Sequence, residues 1–184
     1  ASGELKTKPS QHSVKALQAE GVQPDILVCR SEHELGDDIK RKLALFCNVQ
    51  KDAVIESLDA ETIYEVPILM YKEKLDLVTL KKINLPTKNE PDLHRWREFL
   101  TRLKYPENEV EIGLIGKYVE LKDSYKSIAE ALIHAGAENE TQVKIRWIHS
   151  EDLKPTNVAQ KCKDLYGILV APGFGERGFE GKIA

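Results

Sequence analysis

The chain has 184 residues, of which 41% are hydrophobic and 31% are charged, so its composition is that of a folded globular protein and argues against intrinsic disorder. Its net charge of −3 gives no general attraction to nucleic acid or to an anionic membrane, and no apolar run approaches the ~18 residues of a membrane span. Its three cysteines, Cys29, Cys47 and Cys162, have neither metal-ligand nor disulfide spacing, which predicts a reducing, cytoplasmic compartment and no metal site.

The first predicted element is a helix over residues 11–21. Ser10 can cap its first turn, and Gly21 suits the left-handed position after its last turn. Residues 26–29 are short and wholly apolar, which predicts a strand buried on both faces. Residue 1 is alanine rather than methionine, and the sequence stops where a helix would begin. Both ends are therefore expected to be cuts through a longer chain.

The same alternation continues along the first half of the chain. A second helix is predicted over residues 37–46, with acidic residues at its positive N-terminal end. A short strand follows at residues 54–55. A third helix is predicted after Pro67, because proline is favoured at the first helical position. Strands and helices joined by short connections predict a mostly parallel α/β sheet, and we assign residues 1–84 to this domain.

Residues 85–109 break the alternation and are predicted to form an interdomain linker. The segment begins and ends with proline-containing, loop-like stretches. Between them lies a charged helical pattern with Trp96, Phe99 and Leu103 on one face.

The pattern restarts in residues 110–184 and predicts the opening of a second, doubly wound α/β domain. The expected elements are a strand at residues 112–116, a helix at 124–134 that ends near Gly136, a half-exposed strand at 143–147 and a buried strand at 168–171.

The first candidate site is the polar segment that leads into the first helix. It consists of Lys6, Thr7, Lys8, Pro9, Ser10 and Gln11. In an extended segment residues i and i+2 point to the same side, so Lys6 and Lys8 would present two ammonium groups to one place. The helix N-terminus that follows offers free backbone N–H groups, which favours a phosphate ligand such as a triphosphate. The spacing leaves a solvated loop as the alternative.

The second candidate site is the glycine-rich turn after the last predicted strand. Gly173, Gly175 and Gly178 satisfy the G-x-G-x-x-G pattern, which raises the alternative of an NAD-dependent oxidoreductase. Gly181-Lys182 is not a P-loop, because Ile183 stands where Ser or Thr is required. Glycines at the carboxyl end of a strand also expose backbone N–H groups, and two such donors aimed at one point make an oxyanion hole for acyl transfer.

Together the two motifs resemble segments of cytidine triphosphate (CTP) synthases, and further blocks follow that family in order along almost the whole chain. The blocks are residues 3–14, 24–30, 45–47, 63–67, 116–118, 123–127 and 171–182. The resemblance implies an α/β fold in which the end of a P-loop-type synthetase domain is joined by a linker to the start of a doubly wound class I glutamine amidotransferase domain.

The family resemblance also implies a reaction. In CTP synthases ATP phosphorylates the oxygen at C4 of UTP, and ammonia made from glutamine displaces that phosphate. The implied partners are therefore UTP, CTP as inhibitor, ATP, GTP as activator, glutamine and further copies of the protein in a homotetramer. Mg²⁺ would accompany ATP on ligands outside this chain. A non-catalytic nucleotide-sensing module is the non-enzyme alternative.

The resemblance assigns roles to individual residues. It implies a UTP and CTP pocket lined by Lys6, Thr7, Lys8, Pro9, Ser10, Gln11 and Lys42, and an adenine site for ATP formed by Leu58, Asp59 and Ala60. It also implies that Gly173 belongs to the oxyanion hole and contacts glutamine. GTP activation and domain coupling are assigned to Lys117, Lys126, Arg177 and Glu180. Without the resemblance, Lys42, Lys117 and Lys126 would be interpreted as surface charges and Asp59 as a helix cap.

Two departures and several absences accompany the resemblance. Pro172-Gly173 stands where the family more often has two adjacent glycines, and Ser10 stands where threonine is common. We identify no P-loop lysine, no magnesium-binding acidic pair and no Cys-His-Glu triad in the 184 residues. The chain alone is therefore expected to be inactive both as a ligase and as a glutaminase.

Overall fold

The chain divides into two compact units, Ala1–Pro91 (unit 1) and Asp92–Ala184 (unit 2). The structure, a computed structural model, describes residues 5–173 and 175–184, and only the backbone at residue 122. Within these residues no helix is long and apolar enough to cross a membrane.

Unit 1 is built on a pair of parallel strands with helices packed against them. Its elements are α1 (Lys8–Ala19), β1 (Leu27–Ser31), α2 (Asp37–Cys47), β2 (Val54–Leu58), α3 (Val66–Lys72) and α4 (Leu75–Lys82). Strands β1 and β2 pair in parallel, with Leu27 opposite Val54, which confirms the predicted parallel α/β arrangement. The core forms where α1 and α2 cover these strands, around Val14, Leu43 and Cys47.

Two details of unit 1 differ from the sequence-based expectation. Helix α1 begins at Lys8 with Thr7 as N-cap, so Ser10 lies inside the first turn and does not cap it. Pro9 explains the earlier start, because the first turn of a helix needs no donor from a proline nitrogen. Strand β1 alternates in burial and leaves Val28 53% exposed, so the expected burial of both faces is wrong. Gly21 has a φ of +83°, as predicted for the position that follows the helix.

The carboxylate of Glu73 connects three elements of unit 1. Its Oε2 accepts hydrogen bonds from Lys40 Nζ of α2 at 2.7 Å and from the backbone N–H of Glu56 in β2 at 3.0 Å. Burial opposes ionisation of Glu73, but the two hydrogen bonds and the charge of Lys40 outweigh it and lower its pKa. Ionised Glu73 therefore stabilises the folded state above its ordinary pKa of about 4.5, and this stabilisation is lost as the pH falls through the lowered pKa.

Replacing Glu73 by glutamine is expected to lower the free energy of unfolding of unit 1 by about 1–2 kcal/mol at pH 7, because charge-assisted hydrogen bonds are lost. The same change should flatten the dependence of stability on pH below about 4.5. Hydrogen exchange of the Glu56 amide, followed from pH 7 to pH 3.5, measures both effects. Glu34→Gln, at an exposed position of the same unit, is the matched control. Equal pH slopes for Glu73→Gln and the unaltered chain would contradict the prediction.

Unit 2 is a three-stranded parallel sheet with helices. Its elements are α5 (His94–Lys104), β3 (Asn108–Gly116), α6 (Lys126–Glu138), β4 (Thr141–His149), α7 (Val158–Lys161), β5 (Gly167–Val170) and α8 (Phe179–Ile183). The strand order is β4-β3-β5, so β3 is central, and its Leu114 and Ile115 are 0% and 2% exposed. All three strands run in parallel, which places their carboxyl ends at one edge of the sheet.

Two predictions for unit 2 differ from the structure. Helix α6 continues to Glu138, so Gly136 lies buried inside it and does not end it. Strand β5 is at the edge of the sheet and leaves Ile168 and Val170 54% and 45% exposed, so its expected burial is also wrong. Helix α5 packs on α6, with the rings of Phe99 and His134 5.8 Å apart. The exact bounds assigned to the linker and the two domains stay a prediction.

Candidate functional site

The predicted pyrimidine nucleotide segment forms the start of α1 rather than an extended loop. Thr7 has helical dihedral angles and Lys8 is the first residue of the helix, so the expected extended alignment of Lys6 and Lys8 is wrong. Thr7 and Gln11 are buried, and Gln11 Nε2 donates to Thr7 Oγ1 at 3.1 Å. Lys6 and Lys8 are exposed at the helix N-terminus, where unpaired backbone N–H groups and the helix dipole favour anions.

The residues predicted to hold adenine lie where β2 ends. Leu58 is the last residue of β2, and Asp59 donates its backbone N–H to the carbonyl oxygen of Ser31 at the end of β1, at 3.1 Å. Asp59 Oδ1 accepts from Arg30 Nε at 2.8 Å, and Ala60 follows, half-buried. This is the carboxyl edge of a parallel strand pair, the edge at which open α/β sheets bind ligands. Lys42 is exposed on α2.

A separate cleft in unit 1 has a volume of about 1500 Å³ and lies away from these residues. It is lined by α4, by the N-terminal part of α2 and by residues 84–87, and the predicted nucleotide residues are not among its lining. Because none of the predicted nucleotide residues lines this cleft, it does not bear on the predicted pyrimidine or adenine site.

In unit 2 the glycine-rich turn follows the carboxyl end of β5, as predicted. Gly175 and Gly178 have φ angles of +81° and +69°, a conformation that side chains rarely adopt. Pro172 has no backbone N–H, so Gly173, which is exposed, carries the first backbone donor of the turn. Phe174 lies outside the described residues.

Two lysine ammonium groups donate to carbonyl oxygens of this turn. Lys117 follows the central strand β3, is only 3% exposed, and its Nζ donates to the carbonyl oxygen of Gly175 at 2.9 Å. Lys182 Nζ donates to the carbonyl oxygen of Ala171 at 2.7 Å. The structure thus brings both Lys117, which the resemblance tied to GTP activation and domain coupling, and Lys182 to this turn. In the sequence, Lys182 was the last residue of the family-like block 171–182 and part of a failed P-loop pattern, but neither signal indicated a contact with Ala171.

The backbone of Lys117 is held by a tyrosine that the sequence analysis did not assign to the site. The Tyr125 hydroxyl accepts the backbone N–H groups of Lys117 at 3.0 Å and of Tyr118 at 3.3 Å. Tyr125 is 5% exposed, and Gly116 makes room for its ring, since a Cβ at Gly116 would lie 2.7 Å from Tyr125 Cζ. The tyrosine hydroxyl therefore connects the turn after β3 to the glycine-rich turn through Lys117.

The other residues that the resemblance tied to GTP activation have different surroundings. Arg177 pairs with Glu151 at 2.9 Å, and its guanidinium lies 5.5 Å from the ring centroid of Tyr118. Lys126 pairs with Glu130 one turn along α6 at 3.1 Å, and Glu180 is exposed in the first turn of α8. Arg177 therefore joins the neighbourhood of Lys117, whereas Lys126 has its contact within its own helix.

Ser150 packs against the far end of the glycine-rich turn. Its side chain is fully buried, and its Oγ makes no hydrogen bond within the described part of the chain. A Cβ at Gly178 would collide with Ser150 Oγ, and one at Gly181 would collide with the Ser150 carbonyl group. Both glycines therefore allow α8 to lie directly on the backbone at Ser150.

The described residues do not provide a metal site. In residues 5–173 and 175–184 no group of three or more His, Cys, Asp or Glu side chains could hold a metal ion. The residues present thus do not fit a magnesium site, and we derive no chemical step through Mg²⁺.

The fold is that of a protein with two parallel α/β units, and in unit 2 the glycine-rich turn follows the carboxyl end of β5. Residues 1–85 match the family model described as CTP synthase N-terminus, and residues 120–184 match the model described as glutamine amidotransferase class-I. These matches confirm the resemblance to CTP synthases and the predicted order of a synthetase region followed by a class I amidotransferase region.

Curated relatives agree with both family matches. The whole chain is 64% identical to a CTP synthase of Christiangramia forsetii, 63% identical to one of Flavobacterium johnsoniae and 58% identical to one of Methanocaldococcus jannaschii. The chain covers 34%, 34% and 35% of these proteins, so it spans about a third of the length of the curated relatives it matches. The comparisons do not support the alternatives of a nicotinamide-dependent oxidoreductase or a non-catalytic nucleotide sensor.

Proposed function

We propose that the complete protein containing this chain makes CTP from UTP, ATP and ammonia derived from glutamine, through a UTP phosphorylated at the C4 oxygen. The observation that carries the proposal is the occurrence of both family regions, in this order, in one chain whose relatives are named CTP synthases. Its ligands would be UTP, CTP, ATP with Mg²⁺, GTP and glutamine, its working form a homotetramer, and its location the cytoplasm. The 184 residues alone are expected to have neither ligase nor glutaminase activity.

The roles of unit 1 in this proposal follow from charge and position. Lys6 and Lys8 would bind the triphosphate of UTP or CTP at the N-terminus of α1, together with Lys42. The hydroxyl of Ser10 and the backbone around Thr7 and Pro9 would complete that pocket. Gln11 would line the same pocket, with its side chain oriented by the hydrogen bond that its Nε2 donates to Thr7 Oγ1. Leu58, Asp59 and Ala60 would hold adenine at the carboxyl edge of β2.

In unit 2 the proposed reaction is the release of ammonia from the side-chain amide of glutamine. The exposed backbone N–H of Gly173 would donate to the oxygen of that amide as negative charge develops on it. Lys117 would hold the turn through Gly175. Arg177, Glu180 and Lys126 would couple this site to GTP. We identify no Cys-His-Glu triad in the described residues, so no covalent step is assigned to this chain.

The proposal predicts two reactions of the complete protein: CTP formation with glutamine and CTP formation with added ammonia. Lys6→Ala and Lys8→Ala should each raise the KM for UTP by about tenfold or more in both reactions, because a charge-assisted contact to phosphate is lost. Steady-state kinetics with varied UTP measure the effect. Lys15→Ala, exposed on the same helix, is the matched control. Failure of the unaltered protein to form CTP from either nitrogen source would overturn the proposed function.

A further inference from the structure

The carbonyl oxygen of Ala171 is held from the side of α8 by a charged group. Ala171 is 1% exposed and directly follows β5, and its N–H donates to the carbonyl oxygen of Ile115 in the central strand at 2.8 Å. Its own carbonyl oxygen accepts from Lys182 Nζ at 2.7 Å. Both backbone polar groups of Ala171 are therefore fixed, one by the sheet and the other by Lys182.

Pro172, which follows Ala171, links this fixed position to the glycine-rich turn. The ring of Pro172 fixes its φ near −65° and leaves it without an N–H. Lys182 holds the peptide plane between Ala171 and Pro172. The direction of the Gly173 N–H relative to that plane then depends on one freely rotating backbone angle, the ψ of Pro172. A small rotation of the anchored peptide plane would therefore change the direction of the first backbone donor in the turn.

The ammonium of Lys182 also lies beside Gly173 itself. A Cβ at Gly173 would be 3.4 Å from Lys182 Nζ and 3.7 Å from Lys117 Cδ. The Nζ of Lys117 in turn donates to the carbonyl oxygen of Gly175. Two positively charged side chains thus lie beside Gly173, and positive charge near this residue favours an oxygen that becomes negative.

We propose that Lys182 is a positioning residue for the glycine-rich turn: by holding the carbonyl oxygen of Ala171 it directs the N–H of Gly173 towards the amide oxygen of glutamine. The role rests on the proposed function, since it supposes that this turn serves glutamine. Lys182 acts through Ala171 and Pro172, and it exchanges no proton with the substrate. Its loss should therefore impair the reaction with glutamine and spare the reaction with ammonia, which does not use the turn.

Kinetics of the complete protein test the role of Lys182. Lys182→Met, which keeps the unbranched side chain as far as Cε and removes the donor, should lower kcat/KM for glutamine by between about tenfold and about a hundredfold. CTP formation with ammonia should stay within about twofold. Lys182→Arg should recover most of the loss, because a guanidinium also donates to a carbonyl oxygen. Lys154→Met, exposed in the same unit, is the matched control.

A second measurement tests the geometry without any activity. In the ¹³C-labelled 184-residue chain, the carbonyl chemical shift of Ala171 should move in Lys182→Met and stay unchanged in Lys154→Met. An unchanged shift in Lys182→Met would overturn the proposed hydrogen bond. Unimpaired glutamine kinetics in Lys182→Met, an equal loss of the ammonia reaction, or no recovery in Lys182→Arg would overturn the positioning role. Absence of both reactions from the unaltered protein would instead overturn the proposed function.

Discussion

Replacing Gly136 by alanine is expected to lower the free energy of unfolding of unit 2 by about 2–4 kcal/mol, the opposite of the usual effect of this change in a helix. Alanine in a helix interior is ordinarily more favourable than glycine by about 1 kcal/mol. Here a Cβ would collide with the backbone carbonyl oxygen of Thr141 and lie 3.0 Å from Val143 Cγ2. Because α6 is packed on β4 at this point, the collision can be relieved only by separating the helix from the sheet.

Tryptophan fluorescence during urea unfolding measures this effect for unit 2 alone, because both tryptophans of the chain, Trp96 and Trp147, lie in that unit. Gly167→Ala in β5 is the matched control: its Cβ would meet only Ile112 Cδ1, at 3.4 Å, the end of a flexible side chain. The control should change stability by less than about 0.5 kcal/mol. If Gly136→Ala proves as stable as the unaltered chain, the close packing of α6 on β4 is wrong.

Replacing Tyr125 by phenylalanine is expected to lower the free energy of unfolding of unit 2 by about 2–3 kcal/mol, although a single oxygen atom is removed. The backbone N–H groups of Lys117 and Tyr118 both donate to that oxygen, and Lys117 is buried. Phenylalanine would leave two donors without the acceptor they have now, and an unsatisfied buried donor costs about 1–3 kcal/mol. The ring itself, packed near Leu114 and Ala171, would be unaffected.

The same fluorescence measurement applies, with hydrogen exchange of the Lys117 and Tyr118 amides as a local readout. In Tyr125→Phe the exchange rates of both amides should rise by more than the change in global stability alone would cause. Tyr166→Phe, at a site that is 76% exposed, should leave stability and exchange unchanged. Unaltered protection of the two amides in Tyr125→Phe would show that the hydroxyl is not their acceptor.

Elements with a strong local signal were predictable from the sequence. The acidic start of α2 and the glycine after α1 mark helix ends by backbone physics that needs no tertiary context, and both predictions agree with the structure. The alternation of strands and helices likewise predicted parallel sheets, because short connections leave few other arrangements. The family resemblance, confirmed by the comparisons, added the order of the two regions.

Other features depend on contacts between distant parts of the chain and were not predictable. Gly136 resembles a helix end in sequence, yet it lies inside α6. A glycine is required there because the backbone at the start of β4 leaves no room for a Cβ. The exposure of Val28 and Ile168 follows from the position of their strands in the sheets, which an apolar run does not reveal. The contacts of Lys182 and Tyr125 were not predicted because their partners are backbone groups, which every residue has and which the sequence therefore does not distinguish.

The contact of Ser150 with Gly178 and Gly181 has a consequence for how this region can change during evolution. A Cβ at Gly181 would collide with the backbone of Ser150, so no change of side chain at Ser150 or Gly178 could make room for it. A Cβ at Gly178 would collide with the Ser150 side chain, and the positive φ of Gly178 also disfavours any residue with a side chain. Both positions would therefore have to remain glycine or nearly as small in every working variant. Neighbouring positions such as Phe179, which is 57% exposed, are free to vary in size and chemistry without that constraint.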